Sequence, residues 1–191
     1  MITPVTMHNA ICDFLEKEVA SRYTLKATDS NGNEYFRKPN VIRSGWILPR
    51  SADAHIAVDN YDDGEYANNL VAIKHEYPFI LPRIAKVEHI QEQIESIVTL
   101  DVLFGVYGPG QYDEKGTRIN DGNGYRDLWN LIEATRQALF ERHTIDNRYR
   151  LLLDFFEADT AEEWVYPYWE GRCTTKWHVM FPVPQKHPNF F

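Results

Sequence analysis

At 191 residues, with 43% hydrophobic and 14% aromatic side chains, the chain can bury one sizeable core and is short for two, and it is no disordered polymer. No window approaches the ~18 uninterrupted apolar residues of a membrane span, because the best of them, Ile97 to Val106, is broken by Asp101. The net charge of -8 sits in two stretches: residues 50–66 and 154–170 hold 11 of 28 acids and 1 of 20 bases, leaving a near-balanced remainder that is ill suited to gripping nucleic acid.

Met1-Ile2-Thr3-Pro4 lacks the basic start and apolar run of a secretory signal, so the expectation is a chain made in the cytoplasm. Thr3-Pro4 reads as cap and first position of a helix over about Pro4 to Arg22, with Val5, Ile11, Cys12, Leu15 and Val19 near a 3.6-residue period. Asp29-Ser30-Asn31-Gly32-Asn33 is turn chemistry. Short strands are expected over Glu34–Arg37 and Ser44–Leu48, the latter stopped by Pro49. Ser51 to Asn69 is acidic and aperiodic, which is long for a structureless loop inside a domain. Tyr77 to Ile84 carries two prolines and should lie at an edge or bend.

Glu95 to Tyr107 is the strongest strand, with Val98, Leu100, Val102, Phe104 and Val106 on one apolar face. After a Gly-rich stretch, a second helix is expected from about Tyr125 to His143, capped by Asn123 or Gly124. Its stripe is Tyr125, Leu128, Trp129, Ile132, Leu139 and Phe140. Tyr149 to Phe156 then reads as a strand facing Tyr149, Leu151, Leu153 and Phe155 inward. The acids beyond it read as a solvated loop. Cys173, Thr175, Trp177, Val179 and Phe181 alternate in a last strand, and Pro182 to Phe191 holds three prolines.

This order implies an α+β fold: a mostly antiparallel or mixed sheet with two main helices packed on one face. Residues 1–182 are read as a single domain and 183–191 as an extended tail.

Little in the sequence suggests catalysis. Cys12 and Cys173 match no metal or redox spacing and read as small buried residues. His8 and Cys12 are one helical turn apart, but no third ligand accompanies them; no metal and no cofactor are expected. There is no nucleophile elbow and no phosphate-binding loop. Glu162-Glu163 lies in an acidic run. Tyr166, Tyr168 and Trp169 are interleaved with Pro and acids instead of Lys and Arg, so they read as an aromatic anchor for the chain's own sheet or for a neighbouring subunit.

Several segments together carry a family resemblance. They are Tyr77-Pro78-Phe79-Ile80, the strand up to Tyr107, Asn123-Gly124-Tyr125-Arg126-Asp127 with the helix ending Arg136 to Leu139, Asn147-Arg148-Tyr149-Arg150-Leu151, Tyr166-Pro167-Tyr168-Trp169-x-Gly171, and Thr175-x-Trp177. In order and spacing these resemble the small proteins of tail gene clusters in long-tailed phages and prophages of Gram-positive bacteria. Those proteins are distant relatives of the phage lambda tail terminator. The match covers roughly residues 70 to 182; Thr24 to Asn69 has no counterpart.

The resemblance implies a non-enzymatic virion protein of the tail or neck. It would form a ring, typically a hexamer of itself, on the head-proximal end of the tail tube. That ring would stop growth of the tube protein and receive the head-completion or connector protein. DNA would pass through without specific binding, and no membrane is involved. On this reading Tyr166, Tyr168, Trp169, Phe190 and Phe191 are candidate interface residues. Asp59, Asp62, Asp63, Glu65, Glu162 and Glu163 are candidates to face the lumen, where acidity would limit sticking of DNA. The alternatives are another neck, head-completion or tail component of similar fold and, further off, a small enzyme with a dispersed site.

Overall fold

In the computed structural model, which describes residues 3–29, 33–45, 77–89, 95–112, 114–115, 118–161 and 166–180, the first helix α1 spans Pro4–Glu18. Its start is a reciprocal capping box: the Thr3 hydroxyl accepts from the Thr6 amide at 3.1 Å, and the Thr6 hydroxyl accepts from the Thr3 amide at 2.9 Å. The expected continuation to Arg22 is a separate 3-10 turn, Ala20–Arg22, because the chain tightens at Val19 from i+4 to i+3 bonding.

A hairpin of β1 (Leu25–Thr28) and β2 (Glu34–Arg37) follows, paired antiparallel. The main sheet has six strands in the order β3 (Asn40–Val41), β4 (Phe79–His89), β5 (Glu95–Tyr107), β10 (Tyr168–Met180), β9 (Tyr149–Thr160) and β8 (Thr144–Ile145). The β3–β4 pair is parallel and the others are antiparallel, so the sheet is mixed. A small ribbon of β6 (Gln111–Tyr112) and β7 (Arg118–Ile119) leads into the second helix, α2 (Asn123–Arg142). Arg43 and Ser44 form a turn and Gly45 a bend where the expected strand should begin, while its remainder to Leu48 lies outside the described residues.

The fold is α+β, and both helices cover one face of the sheet. Met7, Ile11 and Leu15 of α1, Leu128, Leu131, Ile132 and Leu139 of α2, and the expected β5 face from Val98 to Val106 form one cluster. Every one of those five β5 side chains is fully buried. At ~1.5–3 kcal/mol for each large apolar side chain removed from water, this face is the main source of stability. The α2 stripe differs in part from expectation. Leu131 and Thr135 face inward, Tyr125 is exposed, and Trp129 and Phe140 sit at the border. The cap also differs: Gly122, in the left-handed region at φ 71, precedes the helix and supplies no side-chain cap.

The two prolines sit where a strand tolerates them: Pro78 precedes β4, and Pro82 lies within it beyond the stretch that β3 pairs. β3 pairs only with Phe79 and Ile80. Pro82 has no N–H to offer, and its carbonyl accepts from His8 Nε2 of α1 at 2.9 Å.

The largest correction concerns β9. Trp177 is paired with Leu151 but Thr175 with Phe156, so Lys176 alone stands opposite Leu152 to Phe155. This bulge resets the alternation. Tyr149 and Leu151 face the core before it, and Phe156 and Ala158 pack on the core after it. Leu153, expected inside, is exposed, and Phe155 lies over the Lys176 ammonium at 4.0 Å. Glu157 and Asp159, expected in a loop, belong to this strand, which runs on to Thr160.

Candidate functional site

Tyr77-Pro78-Phe79-Ile80, Asn123 to Asp127 and Tyr166 to Gly171 lie far apart in sequence and meet at one corner of the molecule. There β5 ends, β10 begins and α2 starts. The register sets Tyr168 against Tyr107, with ring centroids 5.5 Å apart. Tyr77 lies 4.7 Å from Tyr168 and meets Phe79 edge-on at 5.0 Å. These rings, with Leu81, Leu103 and Ile42, form a second apolar cluster on the sheet face away from the helices. The Tyr77 hydroxyl donates to the Glu170 carboxylate. Gly105 makes room for this cluster, since a Cβ there would stand 2.1 Å from the Phe79 ring.

On the helix side the neighbouring residue, Trp169, wedges between the strand end and the helix start. Its Nε1 donates to the Gly108 carbonyl at 3.3 Å, and a Cβ on Gly124 would meet the indole at 2.3 Å. Tyr125 meets Trp169 edge-on at 6.2 Å. The Tyr166 hydroxyl donates to the Pro109 carbonyl, and the Gly108 amide to the Pro167 carbonyl at 2.9 Å. Tyr168 and Trp169 thus pack on the chain's own sheet and helix, and Tyr166 keeps part of its ring exposed.

Beside this corner, Lys26, Phe36, Asp121 and Asp127 line a hollow of about 250 Å³. Burial raises the Asp127 carboxyl above the ordinary aspartate range; the Asp121 charge adds to this and Lys26 opposes it. The other candidate residues, Phe190, Phe191, Asp59, Asp62, Asp63, Glu65, Glu162 and Glu163, lie outside the described residues.

Sequence reasoning treated Asp101 only as a break in an apolar run. It is a buried carboxylate on the helix-free face, accepting from Arg83 Nη2 at 2.9 Å and from the Thr174 hydroxyl at 2.9 Å. An acid on the mixed face of a strongly apolar strand, with a cation on a neighbouring strand, is the signal that could have found it. Next along that face Arg172 pairs with Asp159 at 2.7 Å.

Both cysteines are buried and free. Burial pushes the Cys12 thiol up to about 11 and the Cys173 thiol higher still, so neither is a ready nucleophile. The His8 imidazole is held by the Pro82 carbonyl, with Cys12 Sγ 3.7 Å from its Nε2. Among the described residues no group of three or more His, Cys, Asp and Glu is placed to hold a metal ion, and no helix is long and apolar enough to cross a membrane. No protein-family model and no curated protein matches the chain.

Proposed function

We propose that this chain is a virion protein of a long-tailed phage or prophage, closing the head-proximal end of the tail tube as a hexameric ring. In that role it stops addition of tube protein and presents a surface to the head-completion or connector protein, while DNA passes through the opening. The resemblance to tail terminators motivates the reading. One observation carries it: four of the six segments that bear the resemblance (Tyr77 to Ile80, the end of β5, Asn123 to Asp127 and Tyr166 to Gly171) converge on the Trp169 corner, where Gly108 and Gly124 pack against each other and the indole. The order and spacing of those four answer to one packing arrangement, which makes a chance similarity of separate short motifs a poorer account of them.

A ring of identical subunits is built from two different, mutually fitting patches on each subunit. The acidic segments suit a lumen that DNA must traverse without adhering. Electron microscopy of negatively stained protein, alone and mixed with purified tail tubes, tests the reading. Six-fold rings or caps on tube ends, with an opening that admits a duplex, are expected. Monomers that ignore the tubes would overturn it. Removal of Lys186 to Phe191 is expected to weaken assembly while leaving the circular dichroism spectrum unchanged.

A further inference from the structure

Large apolar side chains exposed on the described surface fall mainly into two groups, and the groups lie at opposite ends of the sheet. The first surrounds Gly108–Gly110. Phe36, 66% exposed, lines the hollow that these residues floor. Ile119, 53% exposed, belongs to the segment on which Gly110 rests, its carbonyl 2.0 Å from where a Gly110 Cβ would stand. Tyr125 and Tyr166 complete the group through Trp169 and Pro109.

The second group lies where β9 begins. Leu153, 52% exposed, stands in the β9 bulge and lines a hollow of about 570 Å³ with Leu152, Arg148, Arg150 and His178. Val5 is at the same end, because the adjoining Thr6 hydroxyl accepts from the Tyr149 hydroxyl at 3.1 Å. From Tyr168, at the first group, to Trp177, opposite Leu151, β10 runs about 30 Å at ~3.3 Å per residue.

The charges around the two groups are complementary. Asp121 and Asp127 against Lys26 line the first hollow, and Arg148, Arg150 and His178 against Asp154 line the second. The first group projects aromatic rings, while the second offers a leucine-lined concavity. The geometry points to a head-to-tail contact between copies of this chain, in which the aromatic corner of one copy seats in the Leu153 hollow of the next. Because the patches differ, the contact is heterologous: it leaves one patch open at each end and propagates until rotation closes it. A two-fold dimer would instead require one patch to face itself. This inference rests on the ring reading and names its contact.

The test uses the full chain in sedimentation velocity over a range of concentrations, with Phe36→Lys and Leu153→Lys as variants. Both positions are exposed, so each variant should keep the wild-type circular dichroism spectrum. Each also sets a cation against the arginine-rimmed hollow or inside it. Alone, each variant should need roughly tenfold or more protein to assemble as the wild type does. An equimolar mixture retains one intact pair of patches and should give dimers and nothing larger. Where the wild type assembles only on tail tubes, the same substitutions are read as loss of caps at tube ends. Wild-type rings unaffected by either substitution, or a mixture that restores no dimer, would overturn this contact and leave the ring standing. A wild type that stays monomeric at every concentration and on tubes would overturn both.

Discussion

The two faces of the six-stranded sheet bury side chains by different rules. On the helix-covered face, β5 contributes an unbroken apolar row, and the hydroxyl of Thr175 is satisfied within the core, donating to the Leu100 carbonyl at 3.2 Å and accepting from Trp177 Nε1 at 2.9 Å. On the other face a carboxylate, Asp101, is buried with Arg83 and Thr174, and Tyr77 needs Glu170 as its acceptor. An apolar row tolerates exchange of residues of similar volume. A polar network fixes identities pair by pair, because each member left without its partner is costly.

Breaking the apolar face should have the largest effect. Trp177 is fully buried, and Trp177→Ala is expected to cost about 3–5 kcal/mol, seen as a lower urea midpoint. Phe104→Leu, at a position equally buried but with no polar atom to satisfy, should cost less than about 1.5 kcal/mol. Equal losses at the two sites would erase the distinction between volume and partner.

On the polar face the order of effects is set by which group is left behind. Arg83→Met leaves the buried Asp101 carboxylate with the Thr174 hydroxyl and the more distant Arg172 charge, and should cost about 2–3 kcal/mol, somewhat below the range for a wholly uncompensated buried charge. Asp101→Asn keeps a partner for Thr174 and leaves Arg83, whose side chain is 43% exposed, free to reach water, so it should cost less. The double variant Arg83→Met with Asp101→Leu should be less damaging than the sum of its parts. The reverse ranking of the two single variants in urea unfolding would show that Asp101 is not buried as a charge.

What was legible in the sequence follows the same division. The β5 face could be read because period-two alternation needs no knowledge of neighbours. Both helices could be read from a 3.6-residue period, and the first also from its Thr3-Pro4 cap; the second has no side-chain cap to read. The inward face of β9 was misread because the bulge opposite Lys176 depends on pairing with β10, and a strand's own sequence does not encode where its partner slips. Asp101, Arg83 and Thr174 come from three strands, so no local window holds the triad. The aromatic anchor was recognisable as an anchor. Its partners, Gly108 and Gly124, acquire meaning only once the fold sets them against Trp169.

The corner lies where the two faces meet and can be tested through its glycines. Gly124→Ala sets a methyl 2.3 Å from the Trp169 indole and should cost about 1–3 kcal/mol through overpacking. Adding Trp169→Leu should recover part of that loss. If Gly124→Ala is neutral and leaves tryptophan fluorescence unchanged, the wedge is looser than the geometry indicates. Leu153→Ser, within the bulge, should change monomer stability by no more than ~0.5 kcal/mol, as expected of an exposed position. Phe156→Ser, on the far side of the bulge, should cost several times more, because Phe156 packs against the core and Phe140.

The smallest effect belongs to neither face but to the outer surface of α2, where interactions are wet. Glu133 accepts from Arg136 Nε and Nη2 at 2.8 and 2.7 Å and from Gln137 Nε2 at 2.8 Å, which hold its carboxyl down at about 2, below the ordinary 4.5. A carboxyl depressed in the folded state contributes stability above its unfolded value, and that contribution fades as pH falls from 4.5 towards 2. Both side chains are about half exposed, at 39% for Arg136 and 47% for Glu133, so solvent screening reduces the gain to about 0.3–0.5 kcal/mol, the range for a pair one helical turn apart. Glu133→Gln should therefore be slightly less stable than wild type at pH 7 and converge with it near pH 2. At pH 7 the difference should also shrink in 1 M salt, where charges are screened within ~3 Å. A gap that persists at low pH and high salt would mean that Glu133 acts through packing of its stem, and the contrast between buried pairs that dictate identity and exposed pairs that do not would lose its clearest exposed case.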